Sequence, residues 1–289
     1  DEALLSCPSI TKCLVVKRTH STINMLSGRD TYLDDELQKV STICEAEIMD
    51  AEDPLFILYT SGSTGKPKGM LHSTGGYMVY AGYTFQHVFD YQEKEVFWCT
   101  ADIGWITGHS YSVYGPLLNG ATTVLFEGIP SYPDFGRFWE IIDKHQVNQF
   151  YTAPTAIRSL AKESLYWVEK YDLSSLRILG SVGEPINDEA WYWYHKNIGK
   201  EKCPIVDTWW QTETGGILIS PLPNITKLKP AFATLPLPGI QVALMNETQQ
   251  ELIGNEVSGS LFIKFPWPSI ARTIWGDHQR YLETYFTAF

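Results

Sequence analysis

The sequence is poor in positive charge. Lys and Arg total 22 against 33 Asp and Glu, a formal net charge of −11, and there is no basic tract. That argues against broad binding to nucleic acid or to an anionic membrane, but leaves room for a local cationic pocket. Long apolar runs are also missing, so no segment reads as a membrane span, and the start does not read as a signal peptide. No GxSxG is present for a serine hydrolase. The seven histidines (His20, His72, His87, His109, His145, His195, His278) lack metal-ligand spacing. The five cysteines are odd in number and form no CxxC. They predict free thiols in a reducing, cytoplasmic setting, and neither a disulfide frame nor a zinc site. Oligomeric state leaves no mark on the sequence.

What is present is apolar material. The chain has 289 residues, 44% of them hydrophobic, enough for more than one core. Its start at Asp1-Glu2 and its end in YFTAF predict a fragment of a longer protein. Strand patterns fall at 12–17, 96–100, 122–126, 149–152, 176–182 and 205–209, with helix patterns at 110–118, 134–145, 154–162 and 187–197. This alternation predicts an α/β fold of layered parallel sheets. Residues 33–50 read as a helix plus a loop. Residues 55–60 read as a strand buried on both faces of a parallel sheet, and 69–89 as a helix weakened by Gly75-Gly76. After Pro221 prolines cluster, and strand runs at 240–245 and 260–265 predict a small antiparallel subdomain. The expected division is an α/β subdomain at 1–130, a second at 131–220 and a β-rich subdomain at 221–289. The run WYWY at 191–194 reads as packing, with Trp191 and Tyr194 on one helical face.

The stretch Thr60 to Gly69, TSGSTGKPKG, carries the strongest chemistry. Gly62 and Gly65 let backbone N–H groups approach an anion, Thr60, Ser61, Ser63 and Thr64 add hydroxyls, and Lys66 and Lys68 add charge. A polyphosphate is the implied ligand. It is not a Walker A loop, because two residues separate those glycines and Pro67 follows Lys66. Pro67 also turns Lys66 away from helical geometry, so the loop reads as a mobile clamp that does not feed a helix. Linker composition is the alternative, which the apolar strand just before it opposes.

YTSGSTGKPKG resembles the phosphate-loop signature of the adenylate-forming superfamily, which includes acyl-CoA synthetases, luciferases and adenylation domains. Asp207 to Gly216, DTWWQTETGG, is similar to its second ATP motif. The resemblance implies ATP contacts from Asp207, Thr208, Trp209, Trp210 and Gln211, with Thr212 on the α-phosphate and Glu213 on Mg²⁺. Gly183, Glu184 and Pro185 would form one wall of the adenine pocket. TADIGWITGHSY at 100–111 resembles the acetyl-CoA synthetase branch in particular. There Ile106, Thr107, Val182 and Trp210 line the acyl pocket, and Thr107, Ser131 and Ala153 approach CoA. An indole at Trp210 leaves room for little more than acetate. Core packing is the alternative for Trp210, and it is the reading for Trp209. His109 could face the site or be structural.

The implied activity is ATP-dependent conversion of acetate to acetyl-AMP and then acetyl-CoA, with ATP, acetate and CoA as small-molecule partners. Lys66, Lys68, Thr212 and Glu213 would be the catalytic set. Propionate or another short acid is the alternative substrate, and a non-catalytic nucleotide-binding module the alternative class. The resemblance also implies that basic N-terminal residues, a ribose-binding Asp and a C-terminal domain with its Lys lie outside this chain. Two departures stand out: Ala231-Phe232 where the family usually has Gly-Ser, and Ser131 where Asn is common.

Overall fold

The computed structural model describes residues 1–61 and 66–287, in two compact units, Asp1–Ile48 and Met49–Phe289. In the first unit β1 (Cys13–Val15) pairs in parallel with β2 (Asp30–Tyr32), which leads into α1 (Leu33–Leu37). These are the expected strand and helix in shortened form.

The second unit corrects two expectations. β3 (Pro54–Thr60) is not a doubly buried parallel strand. It pairs antiparallel with β4 (Lys68–Ser73), Thr60 opposite Lys68, and its residues alternate between exposed and half-buried over much of its length. The first five residues of the expected 69–89 helix are therefore strand, and α2 begins only at Thr74 and ends at Val88. The physical reason is pairing from both sides: every residue of β4 is buried, between β3 and a strand that arrives some 200 residues later. Gly76 stands in the first turn of α2 because a Cβ there would lie 2.2 Å from the Pro268 carbonyl oxygen. As Pro67 implied, the Thr60–Gly69 stretch does not feed straight into a helix; the chain enters β4, which the sequence did not predict.

The alternating region folds largely as its pattern predicts. β5 (Val96–Cys99) leads to α3 (Ile106–Gly108), which runs through a π-helical stretch (His109–Tyr114) into α4 (Gly115–Leu118). Then come β6 (Thr122–Val124), α5 (Arg137–His145), β7 (Gln149–Thr152), α6 (Pro154–Ala161) and α7 (Tyr166–Glu169). β8 (Ile178–Ser181), α8 (Asp188–Trp193) and β9 (Ile205–Asp207) complete the series. The five strands form one parallel sheet in the order β6-β5-β7-β8-β9, so its strands come from both sides of residue 130.

Successive strand residues point to opposite faces, and two apolar clusters record it. Trp98, Phe150, Leu179 and Ile205 pack on one side with α5, α6 and α8; Trp191 and Tyr194 belong to this cluster. Phe97, Tyr151, Ile178 and Val206 pack on the other with Phe85, Val88 and Phe89, of or beside α2. β10 (Val242–Met245) and β11 (Ser260–Ile263) form the expected antiparallel pair. β12 (Thr273–Ile274) joins β4, and α9 (His278–Tyr285) follows. Neither of the last two elements was expected. Among the described residues no helix is long and apolar enough to cross a membrane, and all five cysteines are free thiols.

Candidate functional site

In a parallel sheet the loops after adjacent strands converge at the carboxyl edge. Here the loops after β5, β7, β8 and β9 line an open cleft of about 640 Å³. Its walls include Ile106 and Thr107, Ala153, Val182 to Glu184, and Trp210 to Thr212. These are nine of the residues marked in the sequence, brought together from four separate loops. Gly183 takes φ +91°, a left-handed turn that a β-carbon would strain. Asp102 and Trp105 also line the cleft, and the sequence reading did not single them out.

Trp210 projects into this space with its edge fixed. Its indole N–H donates to the Tyr151 hydroxyl at 3.3 Å, and its ring meets Tyr111 edge-on at 5.1 Å. Trp209 packs against the cluster on the α2 side and bridges to Ile219. Asp207 and Thr208 are buried behind the cleft. Asp207 accepts from the Ser181 hydroxyl at 2.6 Å, and burial pushes its carboxyl above the usual range.

Glu184 sits on the cleft wall. It accepts from the Thr155 N–H at 2.7 Å, from the Thr155 hydroxyl, and from the Arg158 guanidinium at 2.7 Å. Burial raises this carboxyl, but the Thr155 and Arg158 bonds outweigh it and hold Glu184 below its ordinary value. Pro185 is exposed beside it, and its carbonyl accepts from Arg158 at 3.5 Å. The sequence reading gave Arg158 and Thr155 no role; their only signal was the stretch YTAPTAIR at 151–158 that contains them. Ser131 lies in an exposed turn and does not line the cleft.

Thr212 and Glu213 open a short 3₁₀ turn capped by Gln211 and Thr214: the Gln211 N–H donates to Thr214 Oγ1 at 2.9 Å. Gly215 closes it at φ +70°, where a Cβ would meet the Ser269 carbonyl at 2.6 Å. His72 of β4 binds the Thr212 carbonyl at 2.8 Å, and the Glu213 carbonyl accepts from the Ala271 N–H at 2.9 Å. The turn is therefore sewn to the antiparallel sheet that carries Lys68. Lys68 Nζ stands 3.5 Å from Glu213 Oε1, and both contact the Tyr285 hydroxyl of α9 at 2.5 Å. Tyr285 was not anticipated as a site residue.

Of the candidate stretch Thr60 to Gly69, Gly62, Ser63, Thr64 and Gly65 lie outside the described residues. Thr60, Ser61, Lys66 and Lys68 flank them. Thr60 Oγ1 is buried without a hydrogen-bond partner among the described residues, as a hydroxyl meant for a ligand oxygen would be. Ser61 and Lys66 are exposed. Among the described residues no three His, Cys, Asp or Glu side chains converge as a metal cage. One carboxylate, Glu213, still fits Mg²⁺, which keeps waters and takes most of its oxygens from a nucleotide.

A family model described as "AMP-binding enzyme" matches residues 2–275. The chain belongs to that family. It is 60% identical over 287 residues to the acetyl-coenzyme A synthetase of Rhodobacter capsulatus, covering 99% of this chain and 44% of that protein. To the enzyme of the same name from Caulobacter vibrioides it is 59% identical over 289 residues, 100% of this chain and 44% of the relative. Acetyl-coenzyme A synthetase 2 of Pseudomonas aeruginosa is 58% identical over 289 residues, 100% of this chain and 45% of its own length. The chain thus spans less than half the length of the curated relatives it matches.

Proposed function

We propose that the protein containing this chain is an acetate–CoA ligase that forms AMP. The observation that carries this reading is Trp210, held by Tyr151 and Tyr111 with its ring against the cleft. A fixed indole beside Ile106, Thr107 and Val182 makes a short, blunt apolar end suited to a methyl group. The identity to acetyl-coenzyme A synthetases supports the same assignment.

In the first step an acetate oxygen attacks the α-phosphorus of ATP. The new P–O bond gives acetyl-AMP, and the bond to pyrophosphate breaks. Thr212 would donate to the α-phosphate as negative charge builds there, and Lys66 and Lys68 would meet the departing pyrophosphate. Glu213 would hold Mg²⁺, whose chemistry is to neutralise phosphate charge. Gly183, Glu184 and Pro185 would flank the adenine, with the Thr155 and Arg158 bonds fixing the Glu184 carboxylate. Asp207 and Thr208 would act from behind, by bracing β8 and β9. In the second step the CoA thiol attacks the acetyl carbon past Thr107 and Ala153. A C–S bond forms, AMP leaves, and the thiol proton is released. Ser131 would touch CoA only outside the cleft.

ATP–pyrophosphate exchange by the full-length protein tests the reading. Exchange should require acetate, and CoA should then convert the adenylate to thioester. Exchange without acetate, or none with any short acid, would refute it. Five free cysteines support a reducing, cytoplasmic location.

A further inference from the structure

Three stretches remote in sequence meet beside the cleft. β4 brings Lys68, the 212–214 turn brings Glu213, and α9 brings Tyr285. The Lys68 ammonium donates to the Tyr285 hydroxyl at 2.5 Å, and that hydroxyl donates to Glu213 Oε1 at 2.5 Å. Lys68 and Glu213 themselves stand 3.5 Å apart, wider than a closed charge-assisted bond of about 2.7–2.9 Å. Their side chains are only 11% and 21% exposed, so water screens the pair little.

Tyr285 stands on a helix that has seats of its own apart from these two charges. α9 is seated by Tyr281, which packs against Met70, Ala271 and Ile274 and donates to the Ala271 carbonyl at 2.5 Å. Arg280 donates to the Lys66 carbonyl at 2.7 Å and to the Pro67 carbonyl at 3.5 Å. Asp277 caps the helix by accepting the Arg280 N–H at 3.2 Å. One helix thus holds the chain just ahead of Lys68 and reaches past it to Glu213.

A lysine and a glutamate left alone at this distance would close on each other and cancel. We propose that Tyr285 is a positioning residue that keeps the pair open for a polyphosphate and its divalent cation. Its hydroxyl occupies one ammonium proton and one carboxylate oxygen. Beyond these bonds and the 3.5 Å contact with Glu213, the ammonium has one more proton and Glu213 has Oε2 to offer a ligand. The inference rests on the ATP-binding reading above.

The test is isothermal titration of the full-length protein with ATP, with and without Mg²⁺, for the unsubstituted protein, Tyr285→Phe, Glu213→Gln and the double variant. Tyr285→Phe keeps the ring and its packing. It should weaken MgATP binding about tenfold, with a smaller loss for ATP alone. In the Glu213→Gln background the same change should cost less than about twofold, because Lys68 then has no charge to close on. Unchanged or tighter MgATP binding by Tyr285→Phe overturns the proposal and leaves the ATP reading standing. So does an equal loss in both backgrounds, which marks ordinary packing. An unsubstituted protein that binds no MgATP overturns both.

Discussion

The Tyr151 hydroxyl links Trp210 to the floor of the parallel sheet: it lies 3.3 Å from the indole nitrogen and 2.6 Å from Thr208 Oγ1. Thr208 gives its own proton to the Ser181 carbonyl at 2.9 Å. Tyr151 must then donate to Thr208 and accept from Trp210, so the chain of bonds runs one way. Tyr151→Phe breaks it in the middle and leaves the indole N–H without its acceptor. Urea unfolding should show a loss of about 1–2 kcal/mol. Selectivity between acetate and propionate should also relax, because the indole is freed to swing.

Trp210→Gly removes the blunt end of the cleft altogether. Acetate kcat/KM should fall and that for butyrate should rise. Volume discrimination of about 1–3 kcal/mol per methylene predicts a change in their ratio of at least tenfold. Steady-state rates with a series of straight-chain acids measure it, and an unchanged acyl range would place Trp210 in the core and not in the pocket.

His72 makes stability depend on pH. Burial lowers its imidazole from the ordinary 6.5 to about 4; the Thr212 carbonyl and Glu213 pull the other way, and Arg272 adds to the lowering. At 2.8 Å from that carbonyl, Nε2 carries the proton of the neutral ring. The folded value is the lower one. The stability contributed by neutral His72 is therefore complete above about pH 6.5 and is lost as pH falls toward 4, by at most ~3 kcal/mol. His72→Gln keeps an N–H donor and does not titrate. Its stability curve between pH 6.5 and 4.5 should be flatter in urea unfolding at stepped pH; parallel curves would contradict the prediction.

Ala231 occupies a left-handed backbone conformation, φ +64°, beside Phe232, whose half-exposed ring lies 3.8 Å from the Lys229 ammonium. An L-residue with a β-carbon is strained there, and glycine is not. Ala231→Gly should raise stability by about 1 kcal/mol, seen as a higher urea midpoint, whereas Ala231→Val should lower it. The departure of Ala231-Phe232 from Gly-Ser thus has a backbone cost.

The parallel sheet was legible because each of its strands repeats a short apolar run and a helical stripe follows most of them. β4 was not. KGMLHS is short and its burial is continuous, so no periodicity separates strand from helix, and what decides is pairing with residues 54–60 and 273–274. β3 failed for the opposite reason, since an apolar run is silent about which face meets water. In α9 the signal was present but thin: Asp277 as cap, then Tyr281 and Tyr285 four apart on one face. The cleft walls were read from motifs. Their supports, Tyr151, Arg158, His72 and Tyr285, were not, because each acts through a partner far away in sequence.

That distance sets a schedule. Lys68 meets Glu213 across 145 positions and Tyr285 across 217. At about 5–20 residues per second, a ribosome delivers Tyr285 on the order of 10–40 s after Lys68. For that time β4 lacks its β12 neighbour, and the apolar seat of α9 at Met70 stays uncovered on the growing chain. Through this interval the nascent chain carries an exposed apolar patch, and synonymous codons that slow translation between 214 and 285 would lengthen that exposure.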